Sequence, residues 1–180
     1  GNTTLNVQTI TTSGAQLFDG NVNFTAGSTL TATNSDFTVT GTWSGSQDVT
    51  VNAGSGDILV QGAIGGAGGT ARVGNLIFNA SGTKTFESTI QAVSLTTQGT
   101  GIVNLGGNVT TSAAQTYNSD VVLTSDVTLR GVDIDIQGDV DSGGTQTAKS
   151  LTVVATGDFS LSGAFGASRH LLNLAIDAAN

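Results

Sequence analysis

A chain of 180 residues that carries thirteen acidic side chains against five basic ones, for a net charge of −8, has no basic stripe to displace counterions from nucleic acid. Its five bases (Arg72, Lys84, Arg130, Lys149, Arg169) are scattered, an anionic membrane surface repels such a chain, and no apolar run approaches the roughly 18 residues of a spanning helix. Twenty-six glycines with no Pro, Cys or Met exclude disulfides and thiolate metal sites, and do not describe a compact enzyme.

The hydrophobic fraction of 37% lies in short alternating runs, which excludes a disordered linker, while the scarcity of large side chains argues for a thin core without many aromatics. Alternation of Val, Ile, Leu and Phe with polar residues predicts strands near 5–10, 22–25, 29–33, 36–43, 48–52, 57–61, 75–79, 83–86 and 93–97. In the second half it predicts strands near 102–105, 108–111, 115–117, 121–124, 127–130, 132–136, 150–155, 158–162 and 171–176. A weak helical period runs through 169–179, but that stretch aligns with strand-like sequence at 71–80 and is read as strand. Gly-rich clusters at 54–56, 65–69, 106–107 and 142–144 predict turns at positive φ.

The chain also repeats itself. AQLFDGNVNFTAGSTL at 15–30 answers to AQTYNSDVVLTSDVTL at 114–129, DFTVTGTW at 36–43 to DIDIQGDV at 133–140, and DILVQGAIG at 57–65 to DFSLSGAFG at 158–166. NLIFNA at 75–80 answers to NLAIDA at 173–178, so the offset stays between roughly 97 and 102 residues. One supra-repeat over 1–99 is followed by a truncated second copy over 100–180, in what is expected to be a single continuous unit. The start without Met, the lack of a signal peptide and the stop in mid-unit suggest a piece from the interior of a longer protein.

Many short strands build a sandwich, a barrel or a solenoid, and tandem immunoglobulin-like β-sandwich domains are the alternative. The absence of proline in the connections and the recurrence of turns every seven to ten residues favour the corners of a coil. The expected fold is therefore an all-β, right-handed parallel β-helix, in which each coil lies about 4.8 Å above the last.

Within the second copy, AQTYNSDVVLTSDVTLRGVDIDIQGDVDSGG at 114–144 followed by SLTVVATGDFSLSGAFG at 150–166 resembles the repeats of very large secreted bacterial proteins of the filamentous-haemagglutinin-like type. The resemblance covers almost the whole chain, the first copy being the more diverged. It implies a parallel β-helix shaft, exported to or released from a bacterial cell surface, with an adhesive or matrix-forming role; no catalytic or binding residue carries over.

Candidate chemistry is sparse. Asp133, Asp135, Asp139 and Asp141 alternate with apolar residues and supply hard oxygen donors, so they are the candidate calcium ligands, set against a plain solvated acidic face. Asp133 and Asp135 beside Arg130 form the one cluster that suits a polysaccharide-processing enzyme. With a single Glu (Glu87) and a single His (His170), however, general acids and bases are nearly missing, and no enzyme is expected. Thr29, Thr31, Thr33 and Thr38, Thr40, Thr42 suggest the threonine face of an ice-binding solenoid. Their counterparts in the second copy are Thr128, Arg130, Val132 and Asp135, Gln137, Asp139, which break that pattern and favour ordinary exposed strand threonine. Trp43 and Phe18, aligned with Val140 and Tyr117, read as core or corner packing rather than a sugar platform. His170 beside Arg169 has no sequence partner, and the sequons at Asn2, Asn23, Asn79 and Asn108 read as chance in so Thr-rich a chain. The expected function is mechanical: a shaft segment at the cell surface or outside the cell, stacking end to end, with a receptor or polysaccharide as possible ligand and no cofactor.

Overall fold

Short alternating strands leave one face of each strand apolar, and a chain with few bulky residues buries those faces by coiling around a narrow lumen. The structure, a computed structural model, describes residues 1–66, 71–144 and 147–179. The described chain is all-β and winds into a β-solenoid of about nine turns in which every strand pairing is parallel. Tandem sandwiches, which need antiparallel hairpins, are ruled out.

Each coil has three short strands that meet at corners. The first is β1 (Asn2–Leu5), β2 (Thr9–Thr12) and β3 (Gln16–Phe18); the second is β4 (Asn21–Phe24), β5 (Ser28–Ala32) and β6 (Phe37–Val39). The third is β7 (Trp43–Ser44), β8 (Val49–Gly54) and β9 (Ile58–Val60), and the fourth follows Ile64 with β10 (Val73–Ala80) and β11 (Lys84–Phe86). In the fifth, β12 (Ile90–Gln98) supplies two faces and β13 (Val103–Leu105) the third. Then come β14 (Val109–Thr111), β15 (Gln115–Tyr117) and β16 (Val121–Leu123), followed by β17 (Val127–Gly131), β18 (Ile134–Ile136) and β19 (Val140–Ser142). β20 (Leu151–Ala155), β21 (Phe159–Leu161) and β22 (Leu174–Ala178) complete the stack.

Three faces result. The first runs β1, β4, β7, through Ile64 to the start of β12, then β14, β17, β20 and β22; the second runs β2, β5, β8, β10, the end of β12, β15, β18 and β21; the third runs β3, β6, β9, β11, β13, β16 and β19. Stacked partners are between 18 residues apart (Leu105 and Leu123) and 27 apart (Val51 and Phe78); the longest coil carries extra residues between Ile64 and Val73, and the coil that sets Leu151 24 residues after Val127 carries them between β19 and β20.

Two predicted strands prove to be pairs. The run at 5–10 breaks after Leu5 and resumes at Thr9, and the run at 36–43 is β6 and β7 separated by a corner at Thr40–Thr42. Alternation continues across such corners, so periodicity alone does not reveal them. β3 and β19 lie outside every predicted strand. Residues 169–173 are not strand, while Leu174–Ala178 are.

The lumen holds more aromatic carbon than the composition suggested. Phe18 packs on Phe37 (centroids 5.7 Å), Phe24 stacks on Trp43 (4.7 Å), Trp43 meets Phe78 edge-on (5.8 Å), and Phe78 meets Phe86 (4.8 Å). Rings scattered through 69 positions of sequence, from 18 to 86, thus form one file along the first four coils, where offset and edge contacts add to area burial.

Glycine serves the stacking more than the turning. Gly54, Gly65, Gly66 and Gly144 of the predicted turn clusters have positive φ, whereas Gly56, Gly106, Gly107 and Gly143 do not; residues 67–69 lie outside the described residues. Gly138 is typical of the rest: a Cβ there would strike the Asp120 amide and carboxylate on the coil below. Gly138→Ala is expected to lower the unfolding free energy in urea by about 2–4 kcal/mol, because the obstacle is backbone. Gly14→Ala, whose Cβ would meet nothing within 4 Å, should be neutral or stabilise by up to about 1 kcal/mol.

Candidate functional site

The four aspartates proposed as calcium ligands sit on two faces rather than around one point. Asp133 and Asp135 belong to the β18 segment on the second face, and Asp139 and Asp141 to the β19 segment on the third. Each already accepts a hydrogen bond from the coil above. The Asp158 amide donates to Asp133 Oδ1 (3.0 Å), Ser160 Oγ to Asp135, the Ala164 amide to Asp139 Oδ1 (2.7 Å), and the Ser168 and Arg169 amides to Asp141 Oδ1 (3.0 and 2.9 Å). Among the described residues no three His, Cys, Asp or Glu side chains lie close enough to share an ion. Arg130, the base that sequence placed beside Asp133 and Asp135, belongs to β17 on the first face, so the three do not form a cleft.

The bonds at Asp133 and Asp139 are part of a general corner device, while Asp135 and Asp141 are the middle residues of β18 and β19. The Asp57 carbonyl accepts from the Phe37 amide below (2.9 Å), the Asp57 amide donates to Asp36 Oδ1 below (2.9 Å), and Asp57 Oδ1 accepts from the Thr83 amide above (2.7 Å). Asn21 to Thr42, Asp48 to Asn75, Asn108 to Thr128, Asp120 to Asp139 and Asp126 to Ser150 repeat the arrangement at 2.7–2.9 Å. An amide at a corner has turned out of the strand ladder, and the short acceptor side chain satisfies it, much as at a helix N-cap. The Gly of the G-D pairs at 56–57, 138–139 and 157–158 then explains itself. It sits over the acceptor of the coil beneath, where a side chain would not fit.

A second polar device lies inside the lumen. Gln16 Nε2 donates to Ile10 O (3.5 Å), Thr12 Oγ1 (3.2 Å) and Thr31 O (2.8 Å); Gln115 Nε2 donates to Val109 O (3.4 Å), Thr111 Oγ1 (3.3 Å) and Arg130 O (2.8 Å). Every atom in one network has its counterpart 99 residues away in the other, down to Thr12 Oγ1 on Gly14 O and Thr111 Oγ1 on Ala113 O. Yet Gln16 lies on the third face and Gln115 on the second. The second copy therefore falls one face short of five whole turns, and the long strands move accordingly from the second face (β5, β8, β10) to the first (β17, β20, β22).

The copies differ at one atom. Tyr117 Oη donates to Gln115 Oε1 (2.9 Å), and burial pushes this phenol well above its ordinary pKa. Phe18 stands at the matching position, and Gln16 Oε1 is left without a partner.

Lys84 occupies the same lumen column as Gln16 and is fully buried. Its Nζ clamps the Ala80 carbonyl (2.9 Å) and the Gly101 carbonyl (2.7 Å), which also accepts from Ser119 Oγ (2.7 Å). No carboxylate shares this hydrogen-bond set, and burial lowers the amine from 10.5 to about 8. In sequence Lys84 shares the period-two parity of Phe86 within the strand at 83–86, which points it inward, while its charge argues for an exposed position.

The remaining candidates divide between the lumen and the surface. Trp43 and Tyr117 are fully buried, which leaves neither as a sugar platform. His170 is exposed in the connection that precedes β22. The surface hollow between Asn2, Asn21, Asn23, Thr42 and Ser44 on the first face is polar, whereas the one between Phe165, Leu171, Leu172 and Leu174 is more apolar.

The site and fold define a class, a parallel β-solenoid whose polar residues are largely engaged in holding one coil to the next. Beyond that class, no known protein family, curated protein or solved structure matches the chain.

Three outcomes follow for measurement. Tyr117→Phe should cost about 1–2 kcal/mol in equilibrium denaturation, and Phe18→Tyr should recover up to about 1 kcal/mol by giving Gln16 Oε1 a donor. Asp139→Ala, which strands the Ala164 amide, should cost about 1 kcal/mol on the same measure. For Lys84, the folded value near 8 lies below the ordinary 10.5, so between those pH values the unfolded chain holds a proton that the folded chain has lost. Stability should therefore rise from pH 8 to pH 10.5 by at most about 3 kcal/mol, and Lys84→Met should abolish that rise.

Proposed function

We propose that the chain is a segment of a structural shaft, displayed on or released from a bacterial cell, that extends and presents an adhesive or matrix-forming protein. The observation that supports this most directly is the parallel hydrogen-bonded stacking of the coils with the corner acceptors and the lumen amides committed to the same stack. Rigidity along the axis follows from that arrangement, because stretching the rod breaks backbone ladders on all three faces together. The resemblance of 114–144 and 150–166 to filamentous-haemagglutinin-like repeats supports a place outside the cell, and among the described residues the scatter of acids and bases over separate faces favours a structural role over an enzymatic one.

Leu17 and Val122 are outward positions in one column of the third face, separated by five coil intervals. Spin labels placed there should report a single narrow distance of about 24 Å, unchanged by salt. A broad distribution would overturn the rigid rod. An antibody against the segment should label intact, unpermeabilised source cells or their medium, and an antigen confined to lysates would overturn the surface placement.

A further inference from the structure

The one-face offset between the copies changes what lies beside what on the outside. Thr128 and Arg130, the residues that seemed to interrupt a threonine array, are outward positions of β17 on the first face, whereas Thr29 and Thr31 are on the second. Following actual pairing along the second face, Thr9 stacks on Thr29, Thr29 on Thr50, Thr50 on Ile77, Ile77 on Thr96 and Thr96 on Thr116. Beside this column runs another: Thr11, Thr31, Asn52, Asn79 and Gln98. Five of the six side chains in the first column are threonine, and neither column contains a charged residue from the first coil up to Thr116 in the sixth, in a chain with net charge −8. Asp135 bounds the first column above Thr116, and Asp48, at the corner edge two residues before Thr50, is tied to the amide and side chain of Asn75.

The hydroxyls of this face are also free. Corner threonines donate within the chain, as Thr25 does to Leu5 O and Thr124 to Leu105 O. Among the described residues, by contrast, no intramolecular hydrogen bond involves Oγ1 of Thr9, Thr29, Thr50, Thr96 or Thr116. A column of threonine hydroxyl and methyl groups, interrupted once at Ile77 and repeated about every 4.8 Å along the axis, with an uncharged column of Thr, Asn and Gln about 6.7 Å away, holds water in register rather than at random. Charged groups would impose their own hydration shells, and none stands in these two columns from Thr9 to Thr116; the uncharged array ends where Asp135 stacks on Thr116. Exposed rings that would stack on sugar are lacking as well, Trp43 and Tyr117 being inside.

We propose that the second face, from Thr9 to Thr116, is a binding face for the ordered water of an ice surface. This activity goes beyond the shaft reading and does not depend on adhesion, since it needs only the stacked outward columns of the second face. The test is thermal hysteresis and ice-crystal shaping by the whole chain, together with Thr29→Lys and Thr50→Lys on the second face and Thr110→Lys and Thr152→Lys on the first. The four variants sit at comparable outward strand positions. Circular dichroism melts identify any that fail to fold, and Thr29→Val, which keeps shape and removes the hydroxyl, serves as the milder substitute. The expected result is hysteresis in the parent chain, its loss in both second-face lysine variants, and its retention in both first-face variants. No hysteresis in the folded parent, equal loss from both faces, or retention on insoluble neutral polysaccharide without any effect on ice would overturn the proposal. The spin-label distance between Leu17 and Val122 would still report on the shaft independently.

Discussion

Every part of this molecule answers to one geometric condition: each coil must lie one strand spacing above the last, on all three faces and around every corner. On the faces the condition is met by backbone ladders that any extended residue can join. Corners are harder, because there the amide turns out of the ladder and the two backbones crowd each other. The chain meets both difficulties with neighbouring residues, an Asp or Asn that accepts the amide above and a glycine that fits over the acceptor below, as Gly138 and Asp139 do against Asp120. The high glycine content and the acidic balance, which first looked like surface properties, are largely consequences of this one requirement.

The lumen imposes the second condition, and it explains which residues the two copies share. Inward positions correspond closely: Gln16 with Gln115, Leu30 with Leu129, Val39 with Ile136, Val51 with Val153. Outward positions do not, as Leu17 against Thr116, Thr31 against Arg130 and Thr38 against Asp135 show. A triangular coil presents nearly the same environment to all three of its faces, so a copied stretch can be seated one face out of step and still find its lumen. The Gln networks are the clearest case, with the same polar contacts rebuilt on a different side of the rod. What is exposed to solvent is unconstrained by that match and has diverged.

The distribution of chemistry follows from the same division. Asp133 and Asp139 hold corners; the buried amine of Lys84 and the phenol of Tyr117 hold carbonyl and amide groups inside. Outward hydroxyls on the flat second face are not used in this way and remain available to solvent or a partner. A shaft that also carries a distinct water-facing surface is consistent with a fold in which stability and surface character are set by opposite sides of each strand.

Sequence by itself determined the strand alternation, the presence of a long repeat, the parallel coil and the inward placement of Trp43 and Phe18, because period two and recurring turns are local properties of the chain. It also singled out Asp133, Asp135, Asp139 and Asp141, but as a group, when a three-residue strand and a corner send them to two faces. Corners inside 5–10 and 36–43, the burial of Lys84, the aromatic file and the threonine column were decided only by tertiary structure. Each depends on which residue lies above which, and that is fixed by coil lengths that vary from 18 to 27 residues. A repeat of 99 positions that is not a whole number of turns cannot declare, in one dimension, that it has rotated by a face.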